Sequence, residues 1–121
     1  MVVAKTLFEK YGGFSAFRKI VSTFYDEVLD SPTLQKYFVG VDMRRLIEHQ
    51  TKFVTFVAGG PAHISDEQLA TAHRGLGISR EEFDQTLEIF IAALEDHDIE
   101  PEDIATLVQA VRNREHLIVG R

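Results

Sequence analysis

The chain has 121 residues without a single cysteine or tryptophan, and its acidic residues outnumber its basic ones. Without cysteine there is no disulfide framework, no thiolate nucleophile and no Cys-ligated metal site. The 13 Lys and Arg against 19 Asp and Glu give a formal net charge of −6. Nucleic acids and anionic membranes bind basic surfaces, so this composition argues against both partners.

Long apolar runs are also missing from the sequence. No stretch reaches the length of a membrane span, and the opening MVVAKTLFEKYGG reaches charged residues too soon for a secretory signal. We therefore expect a cytoplasmic protein without a membrane partner. The length fits one domain over residues 1–121, and a hydrophobic content of 45% is enough for a core.

The apolar residues that are present recur at helical spacing almost everywhere, which predicts an all-α fold of six or seven helices. Ser65 with Gln68 and Ser79 with Glu82 have the spacing of capping boxes, so each pair predicts a helix start. The predicted segments are residues 5–11, Phe14 to Asp30, a short piece capped by Ser31 with Pro32 at its first position, Asp42 to Gly59, helices opened by Ser65 and Ser79, and a last helix from Pro101 to near Gly120.

Two of the five histidines fall on apolar stripes. His49 and Gln50 accompany Leu46 and Phe53 on the apolar stripe of the helix predicted from Asp42 to Gly59, and His73 lies on the stripe of the next helix. Polar side chains on a buried stripe need partners. One such histidine is ordinarily a core residue bonded to backbone, but two on different helices suit one ligand between them. The other three histidines lie outside these stripes. We expect His97 at a solvated helix end, His63 in a surface loop and His116 near the end of the last helix.

The spacing of these histidines disfavours zinc, which needs three or four convergent protein ligands. A haem brings its own equatorial ligands and needs only one or two from the protein. Tyr25 and Gln50 add a hydroxyl and an amide donor, which suit a polar diatomic ligand in an apolar pocket. Ordinary core packing accounts for most of the nine Phe, but some suit a flat apolar cofactor; the inward candidates are Phe24, Phe38, Phe53, Phe83 and Phe90.

In order and spacing, six segments of the sequence resemble the truncated (two-on-two) haemoglobins. These segments are LFEKYGG, FYDEVL, YFVGVDM, HQTKFVTFVAGGP, AHRGLGIS and EFD. The absence of Trp favours group I, with similarity to its cyanobacterial-type members, because groups II and III typically carry a Trp after the proximal histidine. One departure is PAHIS, which stands where the family usually has an aromatic-x-Gly turn.

The resemblance implies a globin-like, two-over-two helical sandwich around haem b. His73 is then the proximal iron ligand, and Phe38 packs on the haem face at a corner. Tyr25 and Gln50 are the distal hydrogen-bond donors. Leu46 occupies a gateway position where many globins have His or Gln, and its apolar side chain offers the ligand no hydrogen bond.

The resemblance also implies an internal sixth ligand, because some cyanobacterial-type members have a histidine at the position of His49. The alternative is a histidine at the rim of the cavity that bonds a haem propionate. Arg45, with Arg44, Lys52 and Arg74, is a candidate propionate partner. The remaining expected haem contacts are Phe53, Leu76 and Phe83.

The implied function is reversible binding of O2, CO and NO by a monomer or weak dimer. NO detoxification as an NO dioxygenase, or redox chemistry with a reductase, is a further role that the resemblance leaves open. One rival interpretation is a cofactor-free helical interaction or regulatory module with His49 and His73 in its core. A second is a non-haem metalloprotein, which would need a third ligand near both histidines.

Overall fold

The computed structural model describes residues 6–120, which form six α-helices and two short 3₁₀-helices without a strand in that range. The α-helices are α1 (Leu7–Lys10), α2 (Gly13–Leu29), α3 (Met43–Val57), α4 (Asp66–His73), α5 (Arg80–Asp96) and α6 (Pro101–Arg112). The two 3₁₀-helices are the corner helix (Gln35–Phe38) and the terminal 3₁₀-helix (Glu115–Leu117). The predicted all-α fold is therefore confirmed.

The four longest helices form two pairs. α2 packs against α3 on one side and against α5 on the other, α5 packs against α6, and α3 also contacts α6. The core lies between the two pairs, where Phe17, Leu94 and Leu107 are fully buried. This is the two-over-two helical sandwich expected from the sequence.

The helix starts predicted at Ser65 and Ser79 are confirmed, and local hydrogen bonds fix each of them. The Ser65 hydroxyl accepts the N–H of Gln68 and the Gln68 side chain accepts the N–H of Ser65, and Ser79 and Glu82 repeat this exchange. The Asp42 carboxylate caps α3. Such caps stabilise a helix start by about 1 kcal/mol each. Pro101 occupies the first turn of α6, where a missing N–H costs nothing.

The predicted end of α3 is also confirmed. The helix stops at Val57, and Gly59 adopts a positive φ of 83°. A Cβ on the next glycine, Gly60, would lie 2.6 Å from both Phe8 and Thr55, so this turn has room only for glycine. The Phe8 N–H donates to the Ala58 carbonyl at 3.0 Å and holds α1 against the turn.

Two predictions about local structure were wrong: the segment after Ser31 and the end of the last helix. The segment after Ser31 forms turns through Pro32, and the corner helix begins only at Gln35 because the Ser31 hydroxyl accepts a hydrogen bond from Gln85 instead of capping a helix. The apolar residues Phe14 and Leu29 of α2 are 46% and 37% exposed because both lie at the ends of the helix. The buried face is Phe17, Ile20, Val21, Tyr25 and Val28.

The last helix ends earlier than predicted. α6 stops at Arg112, and the terminal 3₁₀-helix follows where the sequence suggested continued helix to Gly120. The buried side chains of Leu117 and Ile118 explain the change, because they pack on the core near α4. The Gly120 N–H then donates to the Ile78 carbonyl at 2.9 Å, which ties the chain's final segment to the loop after α4.

Candidate functional site

A cavity of about 360 Å³ lies between α2, α3, α4 and α5, with the corner helix at one edge. Its walls are mainly apolar. The polar side chains among the lining residues are Tyr25, Tyr37, Gln50, His73 and Thr86. An apolar cavity with a few convergent polar groups is the usual form of a cofactor or ligand site.

The cavity brings together most of the residues that the sequence predicted as cofactor contacts. The predicted residues that line it are Tyr25, Phe38, Leu46, Gln50, Phe53, His73, Leu76 and Phe83. They come from four α-helices, the corner helix and the loop after α4. His49 and Arg45 are not among the lining residues.

His73 ends α4 and is half-buried at the cavity wall. Its ring nitrogen Nδ1 lies 2.7 Å from the Leu69 carbonyl oxygen, one turn earlier. A carbonyl oxygen only accepts hydrogen bonds, so Nδ1 carries the proton and Nε2 keeps its lone pair. Metal-binding histidines are commonly oriented in this way by a hydrogen bond from the other ring nitrogen. The arrangement therefore prepares Nε2 to bind a metal.

Tyr25 lies on α2 with only 6% of its surface exposed. Burial raises the pKa of its phenol well above the ordinary value, so the hydroxyl stays protonated and can donate. The ring is held edge-on by Phe24 and Phe38, at centroid distances of 4.8 and 5.8 Å. Within residues 6–120 the Tyr25 hydroxyl makes no hydrogen bond. Because Tyr25 lines the cavity, its hydroxyl can donate to a group that the cavity holds.

Gln50 lines the cavity from α3 and is half-buried. As with Tyr25, its side chain has no hydrogen-bond partner in the described part of the chain. Two neutral donors from different helices therefore line one apolar cavity, and His73 lines it from α4. One imidazole nitrogen, two donors and otherwise apolar walls fit a flat cofactor that needs a single strong protein ligand.

The expectation that His49 faces inward was wrong. The side chain of His49 is exposed, whereas that of Gln50 faces the cavity. Adjacent helical residues point about 100° apart, so the two cannot share one face. Thr51 and Thr55 instead take buried positions on α3. The predicted propionate partners Arg44, Arg45, Lys52 and Arg74 are all exposed outside the cavity lining.

The remaining histidines lie away from the cavity. His97, at the end of α5, is not the freely solvated residue that was expected. Its Nε2 lies 2.9 Å from the hydroxyl of Thr23 in α2. His63 is exposed, as expected, with its ring 5.1 Å from that of Phe56. His116 is exposed in the terminal 3₁₀-helix. Between residues 6 and 120, no group of three or more His, Asp or Glu side chains is placed to hold a metal ion.

Sequence reasoning missed Tyr37, whose ring also lines the cavity. Its hydroxyl donates to Glu82 Oε1 at 2.6 Å, which joins the corner helix to α5. The same carboxylate accepts the Ser79 N–H, and the Lys36 ammonium lies 3.1 Å from Oε2. The hydrogen bond from Tyr37, followed by that from Ser79, lowers the pKa of Glu82 to about 2. The only feature of the sequence that could have identified Tyr37 as a cavity residue is its position next to Phe38.

None of the helices in the described region is both long and apolar enough to cross a membrane.

The chain is also similar to known proteins. The family model described as bacterial-like globin matches residues 6–119. A group 1 truncated haemoglobin of Synechocystis is 34% identical over 110 residues, which cover 88% of each chain. One from Tetrahymena thermophila is 28% identical over 96% of each chain.

Solved structures show the same fold. The Fe(III) form of truncated haemoglobin from Tetrahymena pyriformis superposes with a TM-score of 0.88 at 27% identity, covering 97% of this chain and all of that one. The haemoglobin of Chloroflexus aurantiacus superposes with a TM-score of 0.82 at 29% identity, covering 98% and 100% of the two chains. The chain therefore belongs to the bacterial-like globins as a group 1 truncated haemoglobin, and so to a family of haem-binding proteins that bind diatomic gases such as O2.

Proposed function

We propose that this protein binds haem b with His73 as the proximal iron ligand and takes O2, CO or NO on the opposite side, beside Tyr25 and Gln50. The observation that carries the proposal is the hydrogen bond from His73 Nδ1 to the Leu69 carbonyl at 2.7 Å, in a residue that lines the cavity. Bound haem would supply an iron atom with one open position for a diatomic ligand.

His73 would hold the cofactor in a fixed orientation. The bond to Leu69 lies within α4, so the ring is oriented by the backbone of its own helix. The donated proton also makes Nε2 a better electron donor to a metal. The apolar contacts that would surround the cofactor are Phe38, Leu46, Phe53, Leu76 and Phe83.

Tyr25 and Gln50 would stabilise the gas ligand. Both side chains line the cavity, and neither has a partner in the described part of the chain. Each hydrogen bond to a ligand is worth about 0.5–1.5 kcal/mol net. Leu46 offers no hydrogen bond, so discrimination among ligands would come from Tyr25 and Gln50.

Coordination of iron by His49 is a second arrangement of the same site. His49 is exposed on α3 next to the inward Gln50, so it would reach the cavity only if α3 turned by about 100°. The structure thus favours a five-coordinate resting state. If His49 did bind the iron, each incoming gas ligand would have to displace it, and the apparent affinity for that ligand would be lower.

The cellular role that we propose is handling of O2, with NO dioxygenation as an activity that would need a reductase partner. The related two-over-two haemoglobin of Synechococcus has covalently attached haem. We propose non-covalent haem b for this chain. Extraction into acidified butanone separates the two cases, because only non-covalent haem enters the organic layer. We also propose a cytoplasmic location and a monomeric or weakly dimeric state.

Titration of the purified protein with haemin tests the proposal. The expected result is one equivalent bound, with a Soret band that shifts on reduction and again on addition of CO. His73→Ala should lose stable binding, whereas His63→Ala, at an exposed residue outside the cavity, should bind as the wild type does. A His73→Ala protein with an unchanged spectrum would refute the proximal assignment. A protein that stays colourless would favour the cofactor-free helical module.

A further inference from the structure

We propose that Tyr37 and Glu82 are positioning residues that hold the corner helix across the mouth of the cavity and so limit the rate at which haem leaves. We call this pair the Tyr37–Glu82 latch. The inference rests on the proposed function, because it assumes that the cavity holds haem. It concerns retention of the cofactor and not its ligation, since neither residue is a candidate iron ligand.

The mouth of the cavity lies between two exposed segments. Val41, just after the corner helix, is 40% exposed, and Leu76, in the loop after α4, is 42% exposed. Both also line the cavity, so each contacts its interior and the solvent at once. A flat cofactor would therefore leave between the corner and the loop that follows His73.

Glu82 joins the segments on the two sides of this mouth. Its Oε1 accepts the Tyr37 hydroxyl from the corner helix at 2.6 Å. The same oxygen accepts the N–H of Ser79, at the end of the loop after α4, at 2.9 Å. Lys36, also in the corner helix, is paired with Oε2 at 3.1 Å. One carboxylate thus connects the corner, the loop and α5, and its side chain is only 15% exposed.

The chain beyond the latch has few other attachments. Val39 is 84% exposed, and the backbone hydrogen bond made by the next turn, from the Val41 N–H to the Phe38 carbonyl, stays within the corner. The next anchor is the Asp42 cap of α3. The Tyr37 hydroxyl is therefore the last side-chain bond that fixes the corner to α5 before the exposed turn. Its loss should let this edge of the cavity open more often.

The chain provides a matched control in the same segment. The Thr33 hydroxyl donates to Gln85 Oε1 at 2.8 Å, which ties the turn before the corner helix to the next turn of α5. Neither Thr33 nor Gln85 lines the cavity. Thr33→Val therefore removes the bond between this turn and α5, together with the 3.1 Å contact to the Ser31 hydroxyl within the turn, without touching the cavity wall. Tyr37→Phe removes one bond to α5 at the wall itself.

The first experiment measures transfer of haemin from the loaded protein to excess apomyoglobin. Tyr37→Phe should release haemin about tenfold faster than wild type, which corresponds to about 1.4 kcal/mol. Thr33→Val should stay within about twofold, since its effect is away from the wall. Glu82→Gln keeps an acceptor for Tyr37 and Ser79 but loses the charge, so its rate should fall between these values.

The second experiment measures hydrogen exchange of the haem-free proteins, which does not depend on cofactor binding. Backbone amides of residues 35–42 should exchange faster in Tyr37→Phe than in wild type, with no matching change in α6. Equal haemin release by wild type and Tyr37→Phe, or equal acceleration in Thr33→Val, would overturn the inference and leave the proposed function intact. A wild-type protein that binds no haemin would instead overturn the proposed function, and unchanged exchange at residues 35–42 would still overturn the latch.

Discussion

Replacing Tyr25 by phenylalanine removes one oxygen atom from the wall of the cavity. The change should stabilise the haem-free protein and weaken the retention of O2 by the haem-loaded protein. The side chain is 6% exposed, and its ring is held between Phe24 and Phe38. The phenylalanine ring should keep both contacts. Only the hydrogen-bonding capacity of the hydroxyl is lost, so the effects of the substitution can be assigned to it.

The haem-free protein should become more stable. The hydroxyl of Tyr25 has no hydrogen-bond partner within residues 6–120 and borders a mainly apolar cavity. A fully buried polar group without a partner costs about 1–3 kcal/mol. The lower end applies because the hydroxyl borders the cavity and is not enclosed by close-packed side chains. We expect Tyr25→Phe to raise the free energy of unfolding by about 1 kcal/mol. That gain corresponds to a rise in Tm of about 3–5 °C for a chain of this size.

The haem-loaded protein should release O2 faster. Loss of one hydrogen bond to the ligand, worth about 0.5–1.5 kcal/mol, increases the dissociation rate about 2- to 12-fold. Stopped-flow mixing of the oxygenated protein with dithionite and CO measures this rate. Thermal unfolding followed by circular dichroism, on the haem-free protein, measures the change in stability.

Tyr11→Phe is the matched control because it makes the same chemical change outside the cavity. The Tyr11 hydroxyl donates to Asp103 and accepts the Glu100 N–H at 3.1 Å, so its loss should destabilise the protein. O2 release should not change, since Tyr11 does not line the cavity. A Tyr25→Phe protein with wild-type O2 release, or with lower stability in the haem-free form, would refute the reasoning about this donor.

Three further predictions concern Thr55, His49 and Glu82. Thr55 is fully buried, and its hydroxyl has no partner in the described residues, so Thr55→Val should raise the free energy of unfolding by about 1 kcal/mol in urea titrations; a destabilised variant would contradict this. His49→Leu should leave the ferrous absorption spectrum unchanged, because His49 is exposed; conversion from a six- to a five-coordinate spectrum would establish it as a ligand. The pKa of Glu82 is about 2 in the folded protein, so its contribution to stability is complete above pH 4.5 and declines as the pH falls toward 2. Urea midpoints should show a weaker loss over that range in Glu82→Gln than in wild type, and equal losses would argue against the assignment.

The sequence predicted features that depend on residues close together in the chain. The capping boxes at Ser65 and Ser79 join residues three positions apart, so the two residue types and their spacing are enough to predict the hydrogen bonds. Gly59 ends α3 because a positive φ suits glycine wherever it occurs. The identity of the fold followed from the order of several such segments together.

The predictions that failed depend on how whole helices are rotated and where their neighbours end. α3 contacts both α2 and α6, so it buries Thr51 and Thr55 as well as the apolar residues of its stripe. His49 turns outward as a result, although its spacing from Leu46 looks correct for the stripe. The Tyr37–Glu82 bond spans 45 positions, and no local pattern marks it.

The hydrogen bond from Gly120 to Ile78 places the end of the described chain within reach of the loop behind His73. Ile118, two residues earlier, lines the cavity. An affinity tag or fluorescent reporter fused after this segment would lie close to the cavity wall at Ile118, where it could alter the absorption spectrum of the bound cofactor. A purification handle fused there is therefore better cleaved before the first ligand-binding spectrum is taken.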